Sequence, residues 1–217
     1  MASSTGSPGT GVRAAKAAAN RARMLGAARE LFIARGYVAT TMAAIATEAG
    51  VAVQTLYFTF ATKRAILAEL LDVAVTGDAE PIATLDRPWV AEALAAAPVT
   101  QIRLQVVATA GILARVGPIL EVVRSAAAVD PEIAQLWRTN IAHRHTVQLH
   151  LAEALAAKTD LRAGLDAARA ADLALAVLAP ESYHLLVHDR GWSPEAWQVW
   201  AADALVLQLL TGAVDPG

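Results

Sequence analysis

Hydrophobic residues recur at spacings of three and four along most of the chain, which is the pattern of helices with one buried side. In the first long segment, for example, Met24, Leu31 and Phe32 fall on one side of a helix. β-Branched residues that alternate with polar ones are scarce, whereas alanine, leucine and arginine, which favour helix, are frequent. The pattern predicts an all-α protein. Four helices are predicted in its first third, over residues 14–35, 42–49, 53–58 and 63–75.

Residues that favour helix ends stand at the boundaries of these segments. Gly36 can take the left-handed conformation after the first helix, and Thr41 can cap the second. Gly50 ends the second helix and turns the chain toward the third, and Thr62 stands as the cap of the fourth. These signals predict a three-helix N-terminal domain over residues 14–62. It follows a disordered tail at residues 1–13, which is rich in Ser, Gly and Thr.

The remaining residues, 63–217, are predicted to form a second helical domain. Asp130, Asp166 and Ser193 each stand where an N-cap is expected, which predicts helices over residues 130–157, 166–190 and 195–210.

Two prolines interrupt this second domain. Gly117 and Pro118 are predicted to break a helix that starts near residue 99, with a new helix running to residue 127. Pro180 is predicted to kink or split the helix that holds it.

The final helix is apolar on nearly every side. Trp197, Trp200 and Leu207 are among its apolar residues. A helix of this kind must be covered on more than one side. A second copy of the chain is the simplest cover for the side that its own domain leaves open. The sequence therefore predicts a two-fold homodimer that pairs the last two helices.

Charge is divided unevenly between the two domains. Residues 1–66 contain eight Lys and Arg against two acidic residues, a net +6, while the whole chain has a net charge of −2. A basic N-terminal third on an acidic body is expected of a DNA-binding domain. The predicted sources of non-specific attraction to DNA are Arg13, Lys16, Arg21, Arg23, Lys63 and Arg64.

Composition narrows the function classes further. The chain has no cysteine, which excludes a disulfide scaffold, a thiolate nucleophile and cysteine-ligated zinc. No apolar h-region follows the N-terminus, and no uninterrupted apolar run approaches the ~18 residues that cross a bilayer. A cytoplasmic protein without a membrane partner is therefore expected.

The most informative segment is the second and third predicted helices with the turn between them. Ala46 is small enough for the two helices to approach closely, and Ile45, Val51, Leu56 and Phe60 supply a small core. This is a helix-turn-helix pattern, in which the second helix enters the major groove of DNA. The residues left for solvent or for the groove are Ala52, Val53, Gln54, Thr55, Tyr57 and Phe58.

Over about residues 20–67 the sequence closely resembles the TetR family of bacterial regulators. The spacing, the glycine turn and the run Thr55-Leu56-Tyr57-x-x-Phe60-x-x-Lys63 all agree. The resemblance implies a double-stranded DNA operator as partner. Two positions depart from the family pattern: Ala52 stands where Ser or Thr is frequent, and Thr59 where His or Tyr is usual.

The resemblance also implies roles for individual residues of this domain. Thr41, Thr55, Tyr57 and Lys63 would contact phosphates. Val53 and Gln54, just after Ala52, would face the bases, because glutamine can bind adenine and valine can meet a thymine methyl.

For the second domain the resemblance implies a cavity for a small molecule that relieves repression. Polar or aromatic residues on otherwise apolar helix sides are the candidates for its lining. They are Arg103, Trp137, Asn140, Tyr183 and His184. A mostly apolar domain favours an apolar or aromatic effector.

Metal and catalytic chemistry find little support in the sequence. His184 and His188 are four residues apart and could share a metal, but they lie in no recognised metal motif. Ser125 and Ser182 lie in no nucleophile-elbow sequence, and no glycine-rich phosphate loop is present. Neither an enzyme nor a metal or other cofactor is expected. A ligand-independent structural DNA-binding protein remains an alternative, and a large apolar pocket would argue against it.

Overall fold

A computed structural model of the chain describes residues 8–76 and 83–211. Apart from one isolated antiparallel bridge between Leu161 and Leu210, its regular structure within those ranges is helical. The helices are α1 (Pro8–Ala39), α2 (Met42–Glu48), α3 (Val53–Phe60), α4 (Lys63–Thr76), α5 (Pro88–Ala95), α6 (Pro98–Ala127), α7 (Pro131–Ala156), α8 (Ala167–Val177), α9 (Pro180–Tyr183) and α10 (Pro194–Leu209). A short 3₁₀ turn, Thr84–Asp86, precedes α5, and a π-helical turn, His184–Asp189, follows α9.

Helices α1 to α3 form a small unit, called the head here (residues 8–62). The predicted glycine turns and threonine caps of the head are confirmed. Gly36 (φ 76°) interrupts α1 and Gly50 (φ 63°) turns the chain after α2, both in the left-handed region that favours glycine. The Thr41 hydroxyl accepts a hydrogen bond from the Ala44 N–H at 3.1 Å, and Thr62 accepts one from Ala65 at 3.1 Å.

Helices α4 to α10 form the body (residues 63–211), with α6 at its centre. Helix α6 packs against α1, α4, α5, α7 and α10. Val116 and Leu120 of α6 belong to the same hydrophobic cluster as Met24, Ile45 and Leu56 of the head, so one core runs through both units. The body's predicted caps are confirmed as well: Asp130, Asp166 and Ser193 each accept a hydrogen bond from the first turn of the helix that follows.

The predicted break at Gly117 and Pro118 is wrong, because α6 continues through both residues. Proline removes one helical hydrogen bond and crowds the preceding turn, which costs about 3 kcal/mol. The apolar side of α6 is buried on both sides of Pro118, by Leu113 and Val116 before it and Ile119 after it. Packing of this continuous apolar stripe outweighs the local penalty.

Pro180, in contrast, splits its helix in two. Helix α8 ends at Val177 and α9 begins at Pro180, where the missing N–H is not needed. The Ser182 hydroxyl shares its one proton between the carbonyl oxygens of Val177 (2.8 Å) and Ala179 (2.9 Å). The Ala179 carbonyl also accepts the backbone N–H groups of Ser182 and Tyr183, so the hydroxyl matters most for the Val177 carbonyl at the end of α8. The chain then continues through the π-helical turn.

The first helix starts earlier than the sequence predicted. Helix α1 begins at Pro8 rather than near residue 14. The alanine-rich run over residues 14–19 has high helix propensity, and the helix extends back through it without burying those side chains. The remainder of the predicted disordered tail, residues 1–7, lies outside the described residues.

Among the residues that the structure describes, two helical stretches, Pro98–Ala127 and Ala167–Asp189, are long and apolar enough to cross a bilayer by length and composition alone. The core helix of a helical bundle meets the same test, and α6 is packed by other helices on several sides. Length and composition alone therefore do not assign either stretch to a membrane. The expected absence of a membrane partner stays a prediction.

Candidate nucleic-acid interface and effector cavity

Helix α3 is anchored by two residues and exposes most of the others. Leu56 is fully buried and Phe60 nearly so, and both join the core beneath α2 and α4. On the outer side, Tyr57 is 50% exposed and Phe58 95% exposed. Of the predicted base- and phosphate-facing residues, Ala52, Gln54 and Thr55 are exposed and Val53 is half-buried. The predicted set on α3 therefore shares one accessible surface.

Thr41 lies at the start of α2 and is exposed. Its hydroxyl oxygen caps the helix, but the hydroxyl proton is still available to a phosphate. Ala52 occupies the corresponding position of α3 and provides no side-chain cap. Thr59, the second departure from the family pattern, donates its hydroxyl to the Thr55 carbonyl at 2.8 Å.

Lys63 is tied to the end of α1 rather than extended into solvent. Its ammonium group donates to the carbonyl oxygens of Tyr37 (2.7 Å) and Thr40 (2.8 Å) and lies 4.1 Å from the centre of the Tyr37 ring. Burial lowers the pKa of Lys63, and the nearby negative charge of Asp130 opposes that shift. Two of its three N–H donors are used inside the protein, so one is left for a phosphate.

Several other basic residues of the head also have partners inside the protein. The Arg21 guanidinium pairs with Glu69 of α4 and lies 4.5 Å from the centre of the Phe60 ring. Arg64 pairs with Glu132 of α7 at 3.1 Å. The Arg23 Nε donates to the Ala49 carbonyl at 2.8 Å.

These pairs change the predicted electrostatics. The charges of Arg21 and Arg64 are offset by Glu69 and Glu132, whereas Arg23 and Lys63 bind neutral carbonyls and keep their charge. Arg13 and Lys16 are exposed on α1. The attraction to DNA therefore rests on fewer uncompensated charges than the sequence count implies.

A scan against protein-family models matches residues 24–70 to the bacterial regulatory proteins of the tetR family. This segment runs from the buried part of α1 to the middle of α4 and contains the whole helix-turn-helix. Residues 24–70 therefore match the DNA-binding domain of the TetR family. The fold, a helix-turn-helix head on a helical body, is the one that solved TetR-family regulators have.

Solved structures of TetR-family regulators share the complete fold. NalD of Pseudomonas aeruginosa, the secondary repressor of the MexAB-OprM multidrug efflux pump, is 21% identical, with a TM-score of 0.69 over 91% of this chain and 98% of NalD. MbdR of Azoarcus sp. CIB is 18% identical, with a TM-score of 0.66 over 88% of this chain and 100% of MbdR. A protein from Saccharomonospora viridis, assigned as a transcriptional regulator and solved in complex with choline, is 20% identical. Its TM-score is 0.66 over 88% of this chain and 97% of that protein. No curated protein matches the sequence significantly.

In the body, the residues predicted to line the effector cavity are only partly brought together. Trp137 and His184 border one cleft between α6, α7 and α9, which holds about 10 Å³. That is space for about one water molecule. Tyr183 is buried and packs edge-on against Trp197, at 5.0 Å between ring centres. Arg103 is exposed on α6.

Asn140 has a role that the sequence did not predict. Its side-chain oxygen accepts a hydrogen bond from the Arg144 Nε at 3.1 Å, and the Arg144 guanidinium lies 5.6 Å from the centre of the Trp137 ring. Burial lowers the pKa of Arg144, and the negative charge of Glu181 opposes that shift. Asn140 therefore orients a largely buried cation on α7.

A larger groove lies on another side of α6, where the sequence predicted none. It holds about 430 Å³ between α4, the 3₁₀ turn, α5 and α6. Its lining includes Trp89, Leu104, Ile112 and Arg115. The sequence did contain a signal for it, because the small residues Ala108 and Gly111 interrupt the bulky side chains of α6 at helical spacing and leave a hollow.

The predicted dimer surface of the TetR-family fold is apolar and accessible. On α10, Trp200 is 37% exposed and Leu207 45% exposed, seven residues apart on one side of the helix, and Val199 borders them. Trp197 and Leu205 of the same helix are fully buried in the body. Helix α10 therefore has apolar residues on two sides, as predicted.

The two histidines that could share a metal are close but lack further ligands. The His184 and His188 rings lie 5.2 Å apart, and the His184 Nε2 is 3.6 Å from a carboxylate oxygen of Asp189. Within residues 8–76 and 83–211, no group of three His, Asp or Glu residues is arranged to hold a metal ion.

Proposed function

We propose that this protein is a sequence-specific DNA-binding repressor, active as a homodimer on a palindromic operator and released by a small molecule. The observation that carries the proposal is the outer surface of α3. This helix is held by two buried residues and leaves Gln54, Thr55, Tyr57 and Phe58 exposed, which is what a recognition helix requires. A regulator of this kind is expected in the cytoplasm.

Two kinds of DNA contact are expected from this surface. Gln54 and Val53 face the base edges and give sequence preference. Thr41, Thr55 and Tyr57 contact phosphates and set the position of α3, with Ala52 at its first turn. Lys63 contributes one N–H donor and the net charge that its carbonyl partners leave uncompensated.

A homodimer supplies the second head that a palindromic operator requires. We place its interface on α8 and α10, because Trp200 and Leu207 present an apolar strip that the body does not cover. The two copies of α3 would then meet successive major grooves about 34 Å apart.

Dimerisation is tested by changing Leu207→Glu and measuring molar mass by light scattering after size exclusion. The variant should become monomeric and lose operator binding. Val129→Glu is the control, since Val129 is also an exposed apolar residue but lies at the α6–α7 corner. A dimeric Leu207→Glu protein would place the interface elsewhere.

Release by a small molecule requires a connection between the body and the spacing of the heads. Helix α4 provides this connection. At its first turn, Lys63 binds the end of α1 and Arg64 binds Glu132 of α7. Near its last turn, Val75 borders the 430 Å³ groove. A ligand that prefers one position of α4 shifts the dimer toward one head spacing by its differential affinity. The choline-bound relative supports a small-molecule effector for this fold.

DNA binding is tested with purified protein and labelled duplex from directly upstream of its own gene, with salt titration and unlabelled competitor. Salt-sensitive, sequence-specific binding at two subunits per site is expected. Tyr57→Ala should weaken binding to all sequences, whereas Gln54→Ala should reduce the preference between operator and mutated operator. Gln135→Ala, which removes an exposed amide from the body, is the matched control.

If Tyr57→Ala and Gln54→Ala both bind operator like the control, the assignment of α3 is wrong. If the wild-type dimer binds every duplex equally, the protein is a structural DNA-binding protein without an operator. Increased transcription from the bound promoter, in an assay with purified polymerase, would make the protein an activator rather than a repressor.

A further inference from the structure

The groove beside α6 has the size and the surface of a small-molecule site. Its volume of about 430 Å³ lies within the ~300–1,000 Å³ that is usual for ligand pockets. The cleft that Trp137 and His184 border, in contrast, holds about 10 Å³. Of these two cavities, the groove is the one that can accept an effector without rearrangement of the body.

Most of the groove surface is apolar. Leu104, Ala108 and Ile112 of α6 form one side, Trp89 of α5 adds an aromatic ring, and Val75 contributes from α4. Burial of apolar surface contributes roughly 25 cal/mol per Å². A ligand with a hydrocarbon or aromatic portion is therefore favoured over a fully polar one.

Arg115 supplies a positioned charge at this apolar surface. Its Nη1 donates to the Gly111 carbonyl at 2.8 Å, one helical turn earlier, which holds the guanidinium along α6. This bond uses one of the five N–H donors of the group. A Cβ at Gly111 would lie 3.8 Å from that same Nη1, so the missing side chain leaves the space beside the guanidinium open.

A guanidinium fork with free donors matches a carboxylate. Glu92 of α5 adds one anion to the lining. The negative charge of Glu92 disfavours a second carboxylate in the same groove. The lining is thus suited to a molecule with a single negative charge and an apolar portion.

We propose that this groove is the effector site and that its ligands are apolar organic monocarboxylates, with the carboxylate on Arg115 and the apolar portion against Leu104, Ile112 and Trp89. The proposal rests on the proposed function for its regulatory meaning. Because Val75 of α4 borders the groove, an occupied groove contacts the helix that connects body and head.

The test is direct calorimetric titration of the full chain without DNA. The probes are 4-phenylbutyrate, 4-phenylbutyramide and 4-phenylbutylamine, which share one apolar portion and differ in the polar group. We expect 4-phenylbutyrate to bind at least tenfold more tightly than the amide and the amine. Loss of the Arg115 charge in Arg115→Gln should remove that preference.

Arg103→Gln is the matched control, because Arg103 is an exposed arginine on the same helix but does not border the groove. It should bind 4-phenylbutyrate like the wild type. Gly111→Leu fills the groove and should abolish binding of all three probes, and Ala108→Leu serves the same purpose if Gly111→Leu does not fold. Circular dichroism and thermal unfolding establish that each variant is folded.

Four results would overturn the proposal: no binding of 4-phenylbutyrate to the wild type, equal binding of the amide, tighter binding of the amine, or unchanged binding in Arg115→Gln. Loss of 4-phenylbutyrate binding in Trp137→Phe with Arg115→Gln unaffected would move the site to the narrow cleft. The titration contains no DNA, so it is independent of operator binding. A protein that binds 4-phenylbutyrate but no operator would contradict the proposed function and leave the ligand class of the groove supported.

Discussion

Helix α3 in the head buries Leu56 and Phe60 among its eight residues, while α6 in the body buries twelve of its thirty. The position of α3 therefore depends on very few contacts, and each of them matters. Helix α6 is held along its whole length, so a local fault such as Pro118 is tolerated within it.

The difference follows from what each helix must leave exposed. A helix that reads DNA needs its outer side free, so it can bury only the narrow stripe that carries Leu56 and Phe60. A central helix of a bundle meets neighbours on several sides and gains burial energy at each turn. The head should consequently be sensitive to single substitutions that the body would absorb.

The largest expected effect is that of Leu56→Ala. Leu56 is fully buried, and removal of such a side chain costs about 2–5 kcal/mol. Since α3 has one other buried anchor, we expect α3 to lose its fixed position and DNA binding to disappear, while the body and the dimer persist. Urea unfolding followed by circular dichroism, with operator binding in parallel, measures both.

Leu205→Ala is the matched change in the body, because Leu205 of α10 is equally buried. It should lower the stability of the whole chain by a similar free energy and leave operator binding intact at low denaturant. If Leu56→Ala retains operator affinity, or if Leu205→Ala loses it selectively, the proposed difference between head and body does not hold.

A second test compares the two prolines. Pro118→Ala restores an N–H inside α6 and relieves crowding, which should raise the free energy of unfolding by up to about 3 kcal/mol. Alanine also makes the unfolded chain more flexible, which reduces this gain by about 0.4–1 kcal/mol. Pro180→Ala should bring no gain, since Pro180 stands at the first position of α9 and Ser182 already binds the nearby carbonyls. Chemical unfolding of both variants measures the change in the free energy of unfolding at each site. Equal changes would contradict this explanation.

The same two prolines show how far the sequence could predict the fold. Helix caps such as Thr41, Asp130 and Ser193 act on the next turn, so a local pattern was enough to predict them correctly. The effect of a proline depends on what is buried before and after it. That burial is set by helices distant in sequence, and a local pattern does not contain it.

The predicted sites show the same limit. The exposed side of α3 could be predicted because helical periodicity separates Leu56 and Phe60 from Gln54 and Tyr57. The pairing of Arg21 with Glu69 and of Arg64 with Glu132 could not, because folding brings these residues together from distant segments. The groove at Arg115 is formed by four separate elements, and no local pattern along α6 distinguishes Arg115 from Arg103, the residue that the sequence predicts.

A third prediction concerns Lys63, whose family-based role is a phosphate contact. In the structure it holds the end of α1 through the carbonyls of Tyr37 and Thr40. Hydrogen bonds to a charged group contribute about 1.5–3 kcal/mol, so Lys63→Met should destabilise the protein by an amount in this range. Thermal and urea unfolding measure the loss.

Arg64→Met is the neighbouring control. The Arg64–Glu132 pair is exposed, and pairs of this kind contribute about 0–1 kcal/mol. If Lys63→Met is as stable as Arg64→Met but binds operator more weakly, Lys63 acts mainly on phosphate, and the head is less dependent on this internal contact than we infer.

The smallest expected effect is a gain at the start of α3. Helices α2 and α4 each have a threonine cap, whereas Ala52 at the start of α3 offers no side-chain oxygen to the free N–H groups of the first turn. Ala52→Ser should stabilise the protein by about 1 kcal/mol, which corresponds to roughly 2–4 °C in Tm for a chain of this size. Ala52→Val, which adds bulk without a cap, should bring no gain in thermal unfolding.

Because α3 has so few anchors, a cap that stabilises it by this amount should also protect its backbone amides from hydrogen exchange more than those of α6. Equal protection in both helices would mean that α3 is held as firmly as the body.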